Sequence, residues 1–403
     1  MTETMLHRVW FRRDVGRIPA LSHLAANAPY VVSDGVLHGN GFNSFRHLEQ
    51  ESGRRFIERT EPITADPKLW NGTDDLNGRY VAYYDYGGLG DTLIATAMVR
   101  ELRRRYPSME LVVFTTVAAA SLWNNHPDLR EGAARLMWFA FEESRWNEFD
   151  TWIAPRPVGY LTRGTSENIY TTVAHELGFH DAPIPSCPYL YFTADEKREI
   201  HNLMESIVGE SWQALQRDVL YVQMVTSEQQ RTPSRWGERL ALLRATFPQS
   251  LIIAVGAADQ YDGGLLPGVV FAMQDRGILY LPPKTVVAPR QAPLPIVQTP
   301  TMPSPKSSAY LISLARGVMT PDSFALHAAA AFDTPTLALW ASGREMTDAA
   351  TADGLAADPI TGILSRPIPP PVARMGTYRR CVVTESHRPL QEQINIFRGI
   401  IAT

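Results

Sequence analysis

The chain has 403 residues, of which 45% are hydrophobic and 20% charged, as expected for a soluble globular protein of two or three domains. With 38 basic and 42 acidic residues its formal net charge is −4, which indicates neither nucleic acid nor an anionic membrane surface as a partner. Its two cysteines, Cys187 and Cys381, are too few for a disulfide framework or a multi-cysteine zinc site, and they favour a reducing, cytoplasmic setting.

Two further absences bear on location. The N-terminal sequence MTETMLHRVWFRRD lacks the apolar core of a signal peptide. No run of about 18 uninterrupted apolar residues occurs either. We therefore expect a cytoplasmic protein without integral membrane association.

Residues 1–78 show no helix–strand alternation, and we assign them to a β-rich N-terminal appendage. The segment APYVVSDGVLHGNG (28–41) predicts a small hairpin region, with turn signals at Asp34-Gly35 and at 39–41.

A regular alternation of strand and helix patterns begins at Arg79. RYVAYYDY and MELVVFTT are apolar strand patterns, and DTLIATAMVRELRRRYP between them has apolar residues at helical spacing. This βαβ arrangement predicts a parallel sheet. FDTWIA (149–154) and SENIYTTVAHELGFH (166–180) continue the series.

A second α/β half starts with the strand pattern VLYVQMV (219–225), followed by RWGERLALLRATFP, SLIIAVG, SAYLISLA, GVMTP, DSFALHAAAAF and TPTLALWA. Eight prolines between 281 and 306 predict an extended loop, and 390–402 predicts an amphipathic helix. The predicted domains are 1–78, a Rossmann-like domain over 79–195, a second Rossmann-like domain over 196–387, and a C-terminal helix over 388–403.

The first candidate site is the glycine turn between a strand and a helix. Gly88-Leu89-Gly90-Asp91-Thr92 has neither the third glycine of a dinucleotide fingerprint nor the Gly-Lys-Ser/Thr of a phosphate loop. Such a turn lets the backbone approach a ligand and directs helix N–H groups at it. The structural alternative is that Asp91 is the N-cap of the helix and accepts amides near Thr92.

A second candidate site follows the strand pattern GVMTP. Asp322 and Ser323 start a helix, and His327 lies in its first turn, as in an anion site. The alternative is a helix cap with a half-buried core histidine. Two such sites, one in each half at the carboxyl end of a strand, would face each other across an interdomain cleft. That pairing favours an enzyme with two substrates.

A third candidate site combines hydroxyl and guanidinium groups near a strand end, a combination that suits a diphosphate. A solvated loop is the alternative. The residues of this third candidate site are Thr226, Ser227, Arg231 and Arg235.

At these stretches the sequence resembles the heptosyltransferase-type family of inverting glycosyltransferases, glycosyltransferase family 9. GLGDTLIATAMVRELRRRYPSMELVVFT is similar to the N-terminal pattern of that family, and PDSFALHAAAAFDTPTLALWASG to its C-terminal pattern. VAHELGFHDAPIPSCPYLYFTADE resembles the stretch entering its interdomain linker. The resemblance covers about residues 79–345, and the order of the three matches makes it more specific than any one alone.

The resemblance implies a GT-B fold, with two Rossmann-like domains facing across a cleft. It makes Asp91 the general base for the acceptor hydroxyl, beside the turn residues Gly88, Gly90 and Thr92. It implies that a nucleoside diphosphate sugar is the donor substrate, without metal or other cofactor. The implied donor-binding residues are Thr226, Ser227, Arg231, Arg235, Asp259, Asp322, Ser323 and His327.

Two positions depart from the family pattern. A lysine common before Trp236 is replaced by Ser234-Arg235, and Phe324 stands where the family has glycine. Both departures put the identity of the donor sugar and nucleotide in doubt.

The acceptor side carries a further resemblance. LWNGTDDLNGRYVAYYDYGGLGD is similar to the lead-in of bacterial protein and autotransporter heptosyltransferases, which favours a macromolecular or glycan acceptor. Two distant cysteines do not support the iron cluster of some of those enzymes. Arg103, Arg104 and Arg105 either meet an acidic acceptor or complement the end of a helix, and the helix end is the preferred interpretation.

Three functions fit these patterns, and we favour an inverting, metal-independent transfer of a hexosyl or heptosyl group. A sugar-nucleotide epimerase shares the two-domain architecture but needs additional acid and base residues. A binding or scaffold module without catalysis is the third. The sequence leaves a homo-oligomer open.

Overall fold

The computed structural model describes residues 6–12, 29–33, 37, 45–63, 68–85, 87–136, 141–155, 169–180, 187–209, 212–226, 232–256, 266–273, 277–282, 304–340 and 378–402. The chain divides into two compact units, Met1–Pro185 and Ser186–Thr403. In the part described, no helix has both the length and the apolarity to cross a membrane. The turns predicted at 34–35 and 39–41, and most of the proline-rich segment 281–306, lie outside the described residues.

The first unit contains two sheets and five helices within its described residues. In chain order its elements are β1 (Leu6–Phe11), β2 (Pro29–Ser33), α1 (Phe45–Ser52), β3 (Ile57–Ile63), β4 (Tyr80–Asp85), α2 (Leu89–Arg105), β5 (Glu110–Thr115), α3 (Ala120–Trp123), β6 (Arg135–Leu136), β7 (Phe141–Glu142), α4 (Glu143–Trp146), β8 (Thr151–Ile153) and α5 (Ile169–Glu176).

The N-terminal segment forms an antiparallel sheet of order β3-β1-β2-β7. Phe11, Phe45 and Phe56 are almost completely buried against one another beneath it. The strand within the predicted hairpin, β2, pairs instead with β1 and with β7, which comes from residues 141–142. The sheet of the N-terminal segment therefore includes a strand from much later in the chain.

The second sheet of this unit is parallel and has the order β6-β5-β4-β8. The chain runs outward from β4 to β5 and β6, and then returns to place β8 on the other side of β4. The βαβ unit predicted from the sequence is therefore confirmed. Because the direction reverses at β4, the turn after this strand lies at a topological switch point.

The basic end of α2 has structural partners in its own unit. Glu101 is 6% exposed and accepts hydrogen bonds from Arg104 and Arg105. Arg103 donates to the carbonyl of Met109. These contacts support the interpretation of the three arginines as complements to a helix end.

The lead-in before β4 is also held by its own unit. The Trp70 amide donates to the carbonyl of Trp152, and the Trp70 ring lies 6.0 Å from that of Phe179. Gly178, with φ of +74°, brings its Cα so close to Gly72 that an added Cβ would lie 2.5 Å from the Gly72 carbonyl oxygen. Its left-handed conformation and this contact both require glycine.

The second unit is built on one sheet of seven strands. In chain order its described elements are α6 (Ala194–Val208), α7 (Trp212–Leu215), β9 (Val219–Gln223), α8 (Trp236–Thr246), β10 (Leu251–Gly256), β11 (Val269–Met273), β12 (Gly277–Tyr280), α9 (Pro305–Leu314), β13 (Gly317–Pro321), α10 (Phe324–Ala331), β14 (Thr336–Trp340), β15 (Cys381–Glu385) and α11 (Leu390–Ala402).

The strand order is β12-β11-β10-β9-β13-β14-β15, and every pair except β11 with β12 is parallel. The chain builds one side of the sheet outward from β9 and the other outward from β13. The carboxyl ends of these adjacent central strands therefore form the switch point of the second unit. The two predicted α/β halves are both present.

The C-terminal helix α11 packs directly against the central strand β13. A Cβ added to Gly317 would lie 2.4 Å from Cγ2 of Ile401 and 2.9 Å from Cζ of Phe397. The close approach of helix and strand thus depends on glycine at position 317.

A buried arginine connects α8 to α11. Arg239 is 1% exposed, and its Nε donates to Oε1 of Gln393 at 3.0 Å. Its other nitrogens donate to the carbonyls of Ser386, at 2.8 Å, and Ser234. A buried guanidinium requires such partners because its desolvation is costly.

We predict that Arg239→Met lowers the free energy of unfolding of the second unit by about 2–4 kcal/mol, because several buried acceptors lose their donor. Arg388→Met is the matched control. Arg388 pairs with Glu392 on α11 with both side chains 46% exposed, so its loss should cost at most about 1 kcal/mol. Urea unfolding of both variants checks the prediction, and equal effects would contradict it.

Candidate functional site

The glycine turn joins the carboxyl end of β4 to α2. The helix begins at Leu89 with Gly88 as its N-cap, and Asp91 is its third residue. Oδ2 of Asp91 accepts a hydrogen bond from the Gly88 amide at 3.0 Å. The alternative that Asp91 is the N-cap is therefore wrong: its carboxylate reaches back from the first turn to the N-cap amide.

The turn places glycine next to the Asp91 side chain. A Cβ added to Gly87 would lie 2.3 Å from Cβ of Asp91, whereas one added to Gly88 would lie 3.7 Å from Oδ2. Gly87 is thus needed for the backbone to pass the aspartate of its own turn. Asp91 itself is only partly buried, so solvent reaches this residue.

Sequence reasoning missed a second carboxylate, at the last position of β4. Asp85 is 4% exposed, and its Oδ2 accepts hydrogen bonds from the hydroxyls of Thr92 and Thr115, each at 2.8 Å. The indole N–H of Trp123 donates to the same oxygen at 3.1 Å. The register explains one contact, because Asp85 lies opposite Thr115 across the parallel pair of β4 and β5.

Burial raises the pKa of Asp85 to about 6, because the charged form loses hydration. The three hydrogen bonds act in the opposite direction, and the nearby charge of Asp91 raises the pKa further. The only signal in the sequence was an aspartate at the end of an otherwise apolar strand.

Some of the predicted donor residues, among those that the structure describes, lie at the switch point of the second unit. Thr226 follows β9, and Asp322 and Ser323 follow β13, the strand hydrogen-bonded to β9. The Ser323 hydroxyl caps α10 by accepting the Ala325 amide at 3.3 Å. Ser323 is thus the helix cap considered in the sequence analysis. It lies at the N-terminus of α10, and a helix N-terminus suits an anion.

His327 lies in the first turn of α10 but is 6% exposed. Its Nδ1 is 2.9 Å from the hydroxyl of Tyr378, which is itself buried. Burial lowers the pKa of His327 to about 4, so the ring is neutral at pH 7. His327 is therefore more deeply buried than the half-buried histidine expected, and its ring is hydrogen-bonded inside its own unit. Tyr378 could not be found from the sequence.

The remaining donor residues are only partly described. Arg235 has a left-handed backbone at the N-cap of α8, with φ of 61°, and its guanidinium donates to both oxygens of Glu238 at 2.8 and 2.6 Å. The Thr226 amide donates to the Thr232 hydroxyl at 3.4 Å. Ser227, Arg231 and Asp259 lie outside the described residues. Among the residues that are described, no three His, Cys, Asp or Glu side chains cluster as metal ligands would.

We predict that Gly87→Ala destabilises the first unit by about 1–3 kcal/mol, because the new methyl group overlaps Cβ of Asp91. Gly88→Ala is the control and should remain within about 0.5 kcal/mol of the wild type. There, the entropic gain of alanine is offset by its weakness as an N-cap. Urea unfolding distinguishes the two variants, and a more damaging Gly88→Ala would contradict the prediction.

We also predict a pH-dependent effect of Asp85→Asn. The pKa of Asp85 is raised on folding from 3.8 to about 6, so the protonated form is favoured in the folded state and stability from this group falls as pH rises from about 4 to 6. Asparagine stays neutral. The unfolding free energy of the variant relative to the wild type should therefore rise by about 2 kcal/mol between about pH 4.5 and 7.5.

Asp150→Asn is the control for this measurement, because Asp150 is exposed. Its carboxylate lies beside the amino end of β4, where it accepts a hydrogen bond from the Tyr80 amide. Unfolding of all three proteins in urea at both pH values gives the comparison. A relative stability of Asp85→Asn that falls with rising pH would show that the sign is wrong.

Comparison with known proteins reveals similarity in fold. No family model and no curated protein sequence matches the chain. The structure of a glycosyl transferase family 9 protein from Veillonella parvula DSM 2008 matches with a TM-score of 0.52 and 10% identity, over 82% of this chain and 99% of that one. E. coli ADP-heptose lps heptosyltransferase II matches with a TM-score of 0.51 and 12% identity, over 80% and 98%. The resemblance to heptosyltransferase-type proteins is thus confirmed at the level of fold.

Proposed function

We propose that this chain is an inverting, metal-independent glycosyltransferase that moves a hexosyl or heptosyl group from a nucleoside diphosphate sugar to an acceptor hydroxyl. In this proposal Asp91 is the general base and the second unit binds the donor. The fold shared with the two transferase structures supports the reaction class.

The position of Asp91 is the observation that best supports the proposal. Its carboxylate is held by the Gly88 amide at the switch point of the first unit, and it remains partly exposed. A carboxylate oriented in this way can accept the proton of a hydroxyl as the hydroxyl oxygen attacks the anomeric carbon. The bond from that carbon to the diphosphate breaks, and the nucleoside diphosphate leaves with the electron pair. Attack from the opposite face inverts the anomeric configuration.

The switch point of the second unit offers features suited to a diphosphate. The N-terminus of α10 carries partial positive charge, and Ser323 and His327 lie in or beside its first turn. Since His327 is neutral at pH 7, it would contribute a hydrogen bond rather than a charge. Arg235 would have to exchange Glu238 for the phosphate, which is feasible because both side chains are more than half exposed.

The acceptor proposed is a macromolecule or glycan, on the basis of the lead-in around Trp70. No cofactor beyond the donor substrate is part of the proposal, and a cytoplasmic location and a homo-oligomer stay compatible with it. The named alternatives are a sugar-nucleotide epimerase and a non-catalytic binding module. Phe324 at the first position of α10 favours the binding module most directly, since a bulky ring stands where the family has glycine.

We predict that Asp91→Asn lowers kcat for sugar transfer by about 10²–10⁴, the range lost with a general base, while donor affinity stays within about twofold. Donors are first identified from thermal stabilisation, in EDTA, by ADP, UDP, GDP, dTDP and CDP sugars. Binding at about 100-fold over Kd should add about 2.7 kcal/mol of stability.

Asp150→Asn is the matched control and should keep wild-type turnover, because this exposed carboxylate lies at the opposite end of β4 from the glycine turn. Unchanged turnover in Asp91→Asn would remove Asp91 as the base. Donor binding without transfer to any acceptor by the wild type would favour the binding module. Conversion of the donor into its epimer would favour the epimerase.

A further inference from the structure

A second carboxylate lies beside the turn that carries the proposed base. Asp85 ends β4, and Asp91 lies six residues later in the first turn of α2. The donors to Asp85 come from three different elements: Thr92 from α2, Thr115 from β5 and Trp123 from α3. All three donor residues are fully buried.

A merely structural role would not require an ionisable group at this point. Three hydroxyl or N–H donors can also be satisfied by a neutral acceptor, and burying a carboxylate carries a desolvation cost that a neutral acceptor avoids. The chain nevertheless places a titratable acid here, and its charge interacts with that of Asp91.

We infer that Asp85 is a positioning residue for Asp91: it fixes the first turn of α2 through Thr92 and places a second negative charge beside the proposed base. This inference rests on the proposed function for its catalytic meaning. It assigns a role to a residue that none of the sequence patterns identified.

The geometry supports the first part of this role. Thr92 immediately follows Asp91 in the helix, and its hydroxyl lies 2.8 Å from Oδ2 of Asp85. The helix start is therefore fixed at one side by the bond from Thr92 to β4 and at the other by the bond from Gly88 to Asp91. Two hydrogen bonds of this kind leave the first turn little freedom to rotate, so the direction of the Asp91 side chain is fixed as well.

The negative charge of ionised Asp85 supports the second part of the proposed role, its effect on the basicity of Asp91. A nearby negative charge disfavours ionisation of a carboxylate and so makes its ionised form a stronger base. Among the described residues Asp85 also acts on Tyr83, another residue of β4, whose pKa is raised by burial and by Asp85. Tyr83 therefore stays neutral and does not cancel the charge. The three hydrogen-bond donors to Asp85 are neutral as well.

A double-mutant cycle tests the inference without any assay of transfer. The wild type, Asp85→Asn, Asp91→Asn and the double variant are unfolded in urea at about pH 8 and pH 4.5. At the higher pH both carboxylates are ionised in the wild type, so Asp85→Asn removes the repulsion between them. In the Asp91→Asn background there is no such repulsion to remove. We therefore expect Asp85→Asn to be more favourable to stability in the wild-type background. At the lower pH Asp85 is protonated, so this coupling should disappear. Additive effects at both pH values would overturn the inference.

The kinetic test applies once a donor and an acceptor are known. Asp85→Asn should lower kcat at about pH 8 roughly threefold, far less than Asp91→Asn does, through weaker basicity of the ionised base. Because Asp91 is already ionised when Asp85 titrates, kcat of the wild type should rise again as Asp85 loses its proton at about pH 6, and this second rise should be absent from Asp85→Asn. The donor KM should not change. Asp150→Asn, the same substitution at the other end of β4, should keep both the second rise and the donor KM, and a second rise that persists in Asp85→Asn would overturn the inference.

The two tests separate two kinds of failure. If the wild type transfers no sugar, the proposed function fails while the double-mutant cycle still reports whether the two carboxylates are coupled. If Asp85→Asn does not fold, Trp123→Phe replaces it, since it removes one donor and keeps the acid. Without the Trp123 hydrogen bond the pKa of Asp85 should rise. The repulsion between Asp85 and Asp91, measured as the effect of Asp91→Asn on stability, should therefore disappear at a higher pH than in the wild type when the pH is lowered. Disappearance at the same pH in both proteins would overturn the inference.

Discussion

The architecture of both units depends on one constraint, the parallel pairing of strands whose order reverses at a central strand. Parallel strands need crossover connections, so each crossover helix starts at the carboxyl edge of the sheet and its N–H groups point towards that edge. In the first unit the reversal falls at β4, and in the second it falls between β9 and β13. The turns after the strands at the reversal carry Asp91, Asp322 and Ser323, which are among the residues proposed to act on a substrate.

This constraint explains why much of the fold could be predicted from the sequence. Apolar strands such as β4 and β10 are buried along nearly their whole length and appear as continuous hydrophobic runs. The glycine turn and the Asp322-Ser323 turn follow such runs directly, so their place at a sheet edge could be inferred. The helix start at Leu89, and with it the true position of Asp91 within the first turn, depended on local hydrogen bonding that composition does not specify.

Several of the interactions that sequence reasoning missed join residues far apart in the chain. Asp85 meets Thr115 and Trp123 at separations of 30 and 38 residues, and His327 meets Tyr378 at a separation of 51. Arg239 meets Gln393 at a separation of 154 residues. A buried polar residue can be identified from a single sequence only when its partner is close in the sequence or when the surrounding apolar pattern shows that the residue is buried. Asp85 stood at the end of a strand pattern, where an exposed aspartate would look the same.

The packing of α11 makes the central strand of the second unit depend on residues from much later in the chain. Ile401 and Phe397 lie against Gly317 at the amino end of β13, and the opposite end of that strand leads to Asp322, Ser323 and α10. The strand that presents the proposed donor turn therefore gains its full packing only after α11 has been synthesised. During synthesis on the ribosome, the first unit and its glycine turn could already have folded while the proposed donor turn still lacked this support.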